Sequence, residues 1–310
     1  MDFSTNFTVR TDLADEVYEN LSQKNKSEID GIRFENEKCL GINITNVTIE
    51  NSQGEKISSK PKGSYVTVET GELWKKTSEE FENTARVISR TIRKMIKNDG
   101  LCLVVCLGND GIISDAVGPL CAKKLIVTRH IKQSNKTLYD TLRLGECACI
   151  VPGVTGSTGA DAVEIIKGVV NVIKPDYVIA VDALACVKLS RLAKTVQITD
   201  TGICPGSGVG NNRGEISYKT LGVPTISVGV PTVVDAVTLC LDMLCDKEQP
   251  DKTHMEYITQ KLSQNPKSFY VAPKETDTII SCMSKLIAFS LNFAFHGEDM
   301  TISEMEEFLS

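Results

Sequence analysis

Two aspartates occupy positions from which a hydrolase could work. Asp115 lies in "LGNDGIISDAVGP", one short loop after the apolar run "LCLVVC", and Asp182 ends the run "YVIAV". In open α/β sheets the ligand crevice lies beyond the carboxyl ends of the strands. If the two runs are neighbouring strands, both carboxylates face one crevice. Carboxyl groups sharing a site have their proton affinities pushed apart, so that one ionised group activates water and one protonated group polarises a carbonyl. That is carboxylate-based hydrolysis. The same residues have plainer uses: Ser114 or Asp115 suits an N-cap for the following helix, and Asp182 a strand-end cap. Spacing alone leaves both uses open.

Other catalytic groups are scarce. His130, His254 and His296 are the only histidines, and neither a GxSxG elbow nor an HExxH helix occurs. Any hydrolytic activity must therefore rest on carboxylates, with no cofactor or metal expected. The eleven cysteines are odd in number, scattered and without a CxxC pair, which supports neither a disulfide framework nor a zinc module. Cys147 and Cys149 share a strand face and read as buried, reduced thiols. The cluster "DTGICPGSGVGNNRGEIS" holds Gly202, Gly206, Gly208, Gly210 and Gly214 but no phosphate-loop lysine, so nucleotide binding is poorly supported. It could instead offer backbone amides to a carbonyl or a peptide strand. "PGVTGSTG", with Gly153, Gly156 and Gly159, leads into a helix N-terminus whose amides read as free to bind. Asp235 falls in the first turn of an expected helix, a structural place for a carboxylate.

The elements needed to position these residues alternate regularly. Strands are expected in "LGINITNVTIE" and "GSYVTVE", and a helix through Trp74, Phe81, Ala85, Ile88, Ile92 and Met95. Next come a buried central strand "LCLVVCLG", a helix "DAVGPLCAKKL", a strand "ECACIV" and the amphipathic helix "GADAVEIIKGVVNVI". Strands "YVIAVDAL", "TVQITD" and "PTISVGV" follow, then helices "TVVDAVTLCLDML" and "TDTIISCMSKLIAFSLNFAF". Such alternation argues an α/β fold with a mainly parallel sheet covered by helices on both faces. The polar first thirty residues suit an arm or an accessory helix.

Composition narrows the class. A 310-residue chain with 41% apolar and 24% charged residues fits a globular protein. A net charge of −6 argues against a nucleic-acid surface as the main purpose. No signal peptide opens the chain, and no uninterrupted apolar stretch approaches the ~20 residues of a membrane span. An intracellular, soluble protein is expected.

Several long stretches resemble the germination protease (spore protease) family. They include "VRTDLA", "KGSYVTVE", "LIVTRH", "PGVTGSTG", "KPDYVIAVDALA", "QITDTGICPGSGVGNNRGEIS" and "TLGVPTISVGVPTVVDAVT". With "LGN....SDAVGP" and "VAPKETD" they run from residue 9 to about residue 295. The resemblance implies an atypical aspartic endopeptidase that degrades small acid-soluble spore proteins during germination. It implies a three-layer αβα fold similar to the hydrogenase-maturation proteases, with a mostly parallel central sheet and an N-terminal β-rich extension. The catalytic pair carried over is Asp115 and Asp182; the match does not say which is base and which is acid. A helix dipole would keep Asp115 ionised and favour it as the base. Asp110 receives no role. The family usually has Thr-Pro before the first aspartate, where this chain has Ile113 and Ser114; without the proline the loop is less preset in φ.

The resemblance further implies a homotetramer in the cytoplasm of the spore core, without direct contact to nucleic acid or membrane. The family is made as a zymogen, and its substrates are cut after an acidic residue and before an apolar one followed by Ala. Thr11-Asp12-Leu13-Ala14 looks like such a site, giving residues 1–12 as prosegment and 13–310 as one peptidase domain. Within it, 13–98 is an N-terminal β/α part, 99–296 the core sheet and 297–310 a tail. The plainer use of Asp12 is to cap the helix "LADEVYENLSQ". Two other functions stay open on the residues alone: a hydrogenase-maturation-type endopeptidase and a non-catalytic nucleotide-binding α/β module.

Overall fold

A computed structural model describes residues 11–24, 29–97, 99–206, 214–236, 239 and 269–309. The chain opens with helix α1 (Ala14–Lys24), then strands β1 (Ile32–Cys39) and β2 (Ile42–Ile49), helix α2 (Ser52–Ser58) and strand β3 (Gly63–Glu69). Helix α3 (Ser78–Met95) leads to β4 (Cys102–Cys106), then α4 (Val117–Ala122), α5 (Arg129–Ser134), α6 (Lys136–Leu142) and β5 (Cys147–Ile150). After α7 (Thr155–Thr158) and α8 (Ala162–Ile173) come β6 (Tyr177–Cys186), β7 (Thr195–Thr199), α9 (Tyr218–Leu221) and β8 (Thr225–Asp235). The described chain closes with β9 (Tyr270–Val271), α10 (Thr276–His296) and α11 (Ile302–Phe308).

Among the described residues the strands join one sheet in the order β1-β2-β3-β7-β8-β6-β4-β5, with β9 on β8. The central strands β8, β6, β4 and β5 are parallel, and β4 is buried along its whole length, as its unbroken apolar run requires. The N-terminal strands extend the sheet antiparallel through β3 and β7. β7 departs from the parallel pattern and runs antiparallel to β8. Residues 187–194 are too few for the crossover that a parallel neighbour of β6 would need.

Helix α3 starts where Thr77 and Glu80 form a reciprocal capping box, later than the run of apolar residues suggested. Helices α3, α4 and α10 cover one face of the sheet, packing Ile88, Ile92, Val117, Phe289 and Phe293 against Val104, Ile179 and Val228. On the other face α8 packs Val163, Ile166 and Val170 against Leu103, Val105, Val178 and Ala180. Helix α10, 21 residues long, has the length and mean hydropathy of a membrane-crossing helix, although Asp277, Lys285 and Asn292 interrupt its apolar run. Its apolar length is explained by burial, because it lies against both α3 and α4. Phe289 is 1% exposed and meets Phe81 edge-on at 6.3 Å. Phe289→Ala is expected to cost about 3–5 kcal/mol, visible as a lower denaturant midpoint.

The order β6-β4-β5 contains a reversal. The chain leaves β4 towards β5 through α4 on one face, then returns past β4 to β6 through α8 on the other. The crevice at such a reversal opens at the carboxyl ends of β4 and β6.

Candidate active site

Asp115 reaches this edge on a loop with almost no slack. Gly108, just after β4, has φ +116°, and a Cβ there would lie 2.0 Å from the Asp115 carbonyl oxygen and 3.4 Å from its Oδ1. Asn109 N–H donates to Asp115 O (3.0 Å), Asp115 N–H to Ile112 O (2.8 Å) and Ala116 N–H to Ile113 O (3.1 Å). These bonds close a 3-10 turn over Ile113–Asp115 and fix the loop without a proline. Gly118 in α4 packs against Leu107, whose carbonyl oxygen would sit 2.1 Å from a Cβ at that position. The turn rests on β6, β8 and α10. The capping use of Ser114 or Asp115 is corrected: α4 begins at Val117 with Ala116 in the cap position. Asp115 is half-buried, flanked by exposed Ile112 and Ile113.

Asp182 sits one residue past the last β4–β6 pair, Cys106 with Val181, while Leu107 N–H still donates to Val181 O (2.8 Å). From there β6 runs on to Cys186 paired only with β8. Asp182 is thus inside a strand rather than a strand-end cap, at the point where one edge of β6 is released by β4. It is 5% exposed, and its Oδ1 accepts from Ala183 N–H (2.9 Å). Asp115, on a turn that packs against β6, and Asp182, just past the end of the β4–β6 pairing, both lie on the side of the sheet edge where β4 ends.

The start of the described chain lies against the same part of the sheet. Asp12 N–H donates to Ala185 O (3.0 Å), and Asp12 Oδ2 accepts from Ala185 N–H (2.8 Å). The Asp12 carbonyl oxygen accepts from Lys60 Nζ (2.8 Å) and Gln197 Nε2 (3.0 Å). Leu13 is fully buried with Leu184, Cys186, Leu192 and Val234. Behind it, Glu16 accepts from the Val187 and Lys188 amides at 2.9 and 2.8 Å and from the Thr11 hydroxyl. Asp15 is buried 3.0 Å from Arg191, an ion pair without hydrogen-bond alignment. Arg191 also meets Glu19 and Glu69. Sequence reading named none of Lys60, Gln197, Glu16 or Arg191. Asp15 and Glu16 fall away from the apolar side of "LADEVYENLSQ" at helical spacing, so the local pattern gave no sign that they are buried.

Burial raises the pKa of Asp15, against the opposing pull of Arg191, and burial raises Glu16 against its three hydrogen-bond donors. A carboxyl whose pKa rises on docking favours the docked state fully below its undocked pKa and loses that contribution as pH climbs through the raised value. Seating of residues 11–24 is therefore expected to be tighter in mild acid than at neutral pH. Hydrogen exchange at the Leu13 and Ala185 amides, corrected for intrinsic rates, should show protection falling with pH. In Asp15→Asn the pH dependence should shrink; protection flat with pH in the unaltered chain would refute the reading.

The remaining predicted residues fall elsewhere. Asp235 is the last residue of β8, paired with Tyr270, not in a helix turn. The glycine cluster is closed at its base by mutual Ile203–Ile216 bonds, and Gly202, at φ +82°, passes close to Ile216 O. Gly208, Gly210, His254 and most of "TVVDAVTLCLDML" lie outside the described residues. The amides after "PGVTGSTG" are not free as expected, because Asp161 and Glu164 form a capping box at the start of α8. His130 is exposed on α5. His296 is buried at the end of α10, bonded to Ile126 O (2.9 Å), its pKa lowered to about 4 by burial. Cys147 is buried and Cys149 half-buried, with Cys149 Sγ 3.8 Å from Cys106 Sγ. Among the described residues no group of three His, Cys, Asp or Glu is placed to hold a metal ion. Residues 297–309 carry helix α11, whose Met305 is fully buried.

Comparison with known proteins bears on this arrangement. The germination protease family profile matches residues 10–247. The chain is 39% identical to the germination protease of Clostridium perfringens strain 13, with 98% of this chain and 100% of the relative covered. It is 36% identical to that of Bacillus pumilus, with 94% of each covered. Among solved structures it is similar to the [NiFe] hydrogenase maturation protease HycI of Thermococcus kodakarensis. That likeness has a TM-score of 0.34 and 16% identity, and covers 65% of this chain and 98% of that one. With a family profile over most of its length and relatives aligned nearly end to end, the chain belongs to the germination protease family.

Proposed function

We propose that this chain is a carboxylate-dependent, aspartic-type endopeptidase that begins the degradation of small acid-soluble spore proteins during germination. The observation that carries the reading is that Asp115 lies on a turn packed against β6, the strand on which Asp182 sits just past the last pair with β4. One carboxylate removes a proton from water as it attacks the peptide carbonyl, and the other protonates the leaving nitrogen. Exposed Ile112 and Ile113 beside Asp115 suit a substrate with an apolar residue after the cut. The working form is proposed to be a homotetramer in the spore core, acting on protein alone, without nucleic acid, membrane or cofactor.

The chain is further proposed to be a zymogen that cuts itself between Asp12 and Leu13. This is supported by an acidic residue, a buried leucine and an alanine seated in series against β6 and β7. Intact-mass measurement and N-terminal sequencing of matured protein should give a chain beginning at Leu13. A start well away from Leu13 would sink the self-processing reading, while leaving proteolysis of spore proteins to be tested by itself.

A further inference from the structure

We propose that Lys60 and Gln197 form the electrophilic clamp for the carbonyl group under attack, seen here holding the carbonyl of Asp12. The inference rests on the self-processing reading. Two side chains from distant parts of the chain converge on that one oxygen, Lys60 Nζ at 2.8 Å and Gln197 Nε2 at 3.0 Å. Gln197 also brackets the bond to be cut, because its Oε1 accepts from Ala14 N–H at 2.7 Å. Its two amide atoms therefore hold the peptide groups on either side of Leu13. The flanks of the segment are fixed by other contacts: Asp12 N–H and Oδ2 on Ala185, and the Leu13 side chain in its apolar pocket. The two donors on the carbonyl are additional to these anchors. Burial lowers the Lys60 pKa against the pull of Asp12, Asp15 and Glu16, and the amine donates a hydrogen bond in either protonation state.

When water adds to the Asp12 carbonyl carbon, its oxygen takes up negative charge, and preorganised donors aimed at that oxygen lower the barrier. The proton lost by water passes to the ionised carboxylate of the Asp115 and Asp182 pair. The C–N bond then breaks as the Leu13 nitrogen takes a proton from the protonated carboxyl. One water is consumed, leaving a carboxyl terminus at Asp12 and an amine at Leu13. With the clamp on the oxygen, the two proton transfers fall to the aspartates. The register is compatible: Gln197 pairs with Gly229, and Gly229 with Asp182, so the three lie in one row on one sheet face. That row sets the Cα atoms of Gln197 and Asp182 about 10 Å apart, two strand spacings, close enough for side chains, carbonyl and water to share the gap. Gly229 keeps the middle of the row low, where a Cβ would meet Leu184 at 2.5 Å.

The test uses the full-length chain and reads the rate at which protein beginning at Leu13 accumulates, by intact mass. Gln197→Glu is the sharpest variant, since it keeps an acceptor for Ala14 N–H and removes the donor to the carbonyl. Lys60→Met removes that donor, and Lys60→Arg restores one. The expected result is processing slowed about 10²–10³-fold in Gln197→Glu and in Lys60→Met, with partial recovery in Lys60→Arg. Hydrogen exchange at the Asp12 and Ala185 amides should stay as in the unaltered chain, showing the segment still seated. Unchanged processing in both donor-removing variants would overturn the clamp. Loss of amide protection alongside slow processing would also overturn it, in favour of simple anchoring. An unaltered chain that never yields a Leu13 terminus would instead overturn the self-processing reading beneath it.

Discussion

Asp182→Asn is expected to leave a folded protein whose cleavage of a small acid-soluble spore protein falls about 10³–10⁴-fold, and Asp115→Asn to do the same. The expectation for the fold follows from local geometry. Asp182 is nearly fully buried and accepts from its neighbour's amide, a bond that an asparagine oxygen can also accept. The turn that carries Asp115 is closed by backbone bonds that an asparagine would keep. The substitutions therefore remove proton chemistry while leaving shape. Circular dichroism and a denaturant midpoint would confirm that the variants fold, and a full time course of substrate cleavage would measure the loss. Near-normal activity in either variant would remove that residue from the mechanism.

Gly108→Ala is expected to cost activity about 100-fold or more even though it touches neither carboxylate's chemistry. At φ +116° a side chain is strained, and the new Cβ would fall 2.0 Å from the Asp115 carbonyl oxygen, which is backbone and cannot swing aside. The loop must move outward, carrying Asp115 away from the β6 edge. A shift of about 1 Å in a reacting group is enough for a 10²-fold loss. Stability should fall as well, by about 1–3 kcal/mol from backbone strain. The discriminating measurement is the ratio of the two effects: kcat should fall far more than the folded fraction at assay temperature. If activity simply tracked the folded fraction, Gly108 would be a folding residue with no special hold on Asp115.

Much of this was legible in the sequence, and the limits have physical causes. The unbroken apolar runs of β4 and β6 announced buried parallel strands, though β6 runs on past Asp182 instead of ending there. β1 was missed because "IRFENEKC" is an edge strand with a mostly exposed, charged pattern, and charge at an edge protects against pairing with other chains. Its hairpin was hidden too, since Leu40 at φ 50° precedes Gly41 where an Asn or Asp is the usual signal. Asp235 was misassigned because β8 continues past Pro231, where Thr232 bulges so that the strand stays paired with β6. The cap at Ala116 could not be foreseen, because a short helix packed by its glycine against Leu107 does not need a polar cap to begin there. Lys60 and Gln197 lie far from Asp12 in sequence and meet it only through tertiary packing, so no local motif could reveal them.

The central claim is that Asp115 and Asp182 act as one catalytic unit. Its most direct test is the cleavage rate of the double variant Asp115→Asn with Asp182→Asn, set beside the two single variants. Residues that act as a unit are strongly non-additive, so the double variant should fall within about tenfold of the slower single one. Losses that multiply, so that the double variant carries the product of both single effects, would contradict a shared site.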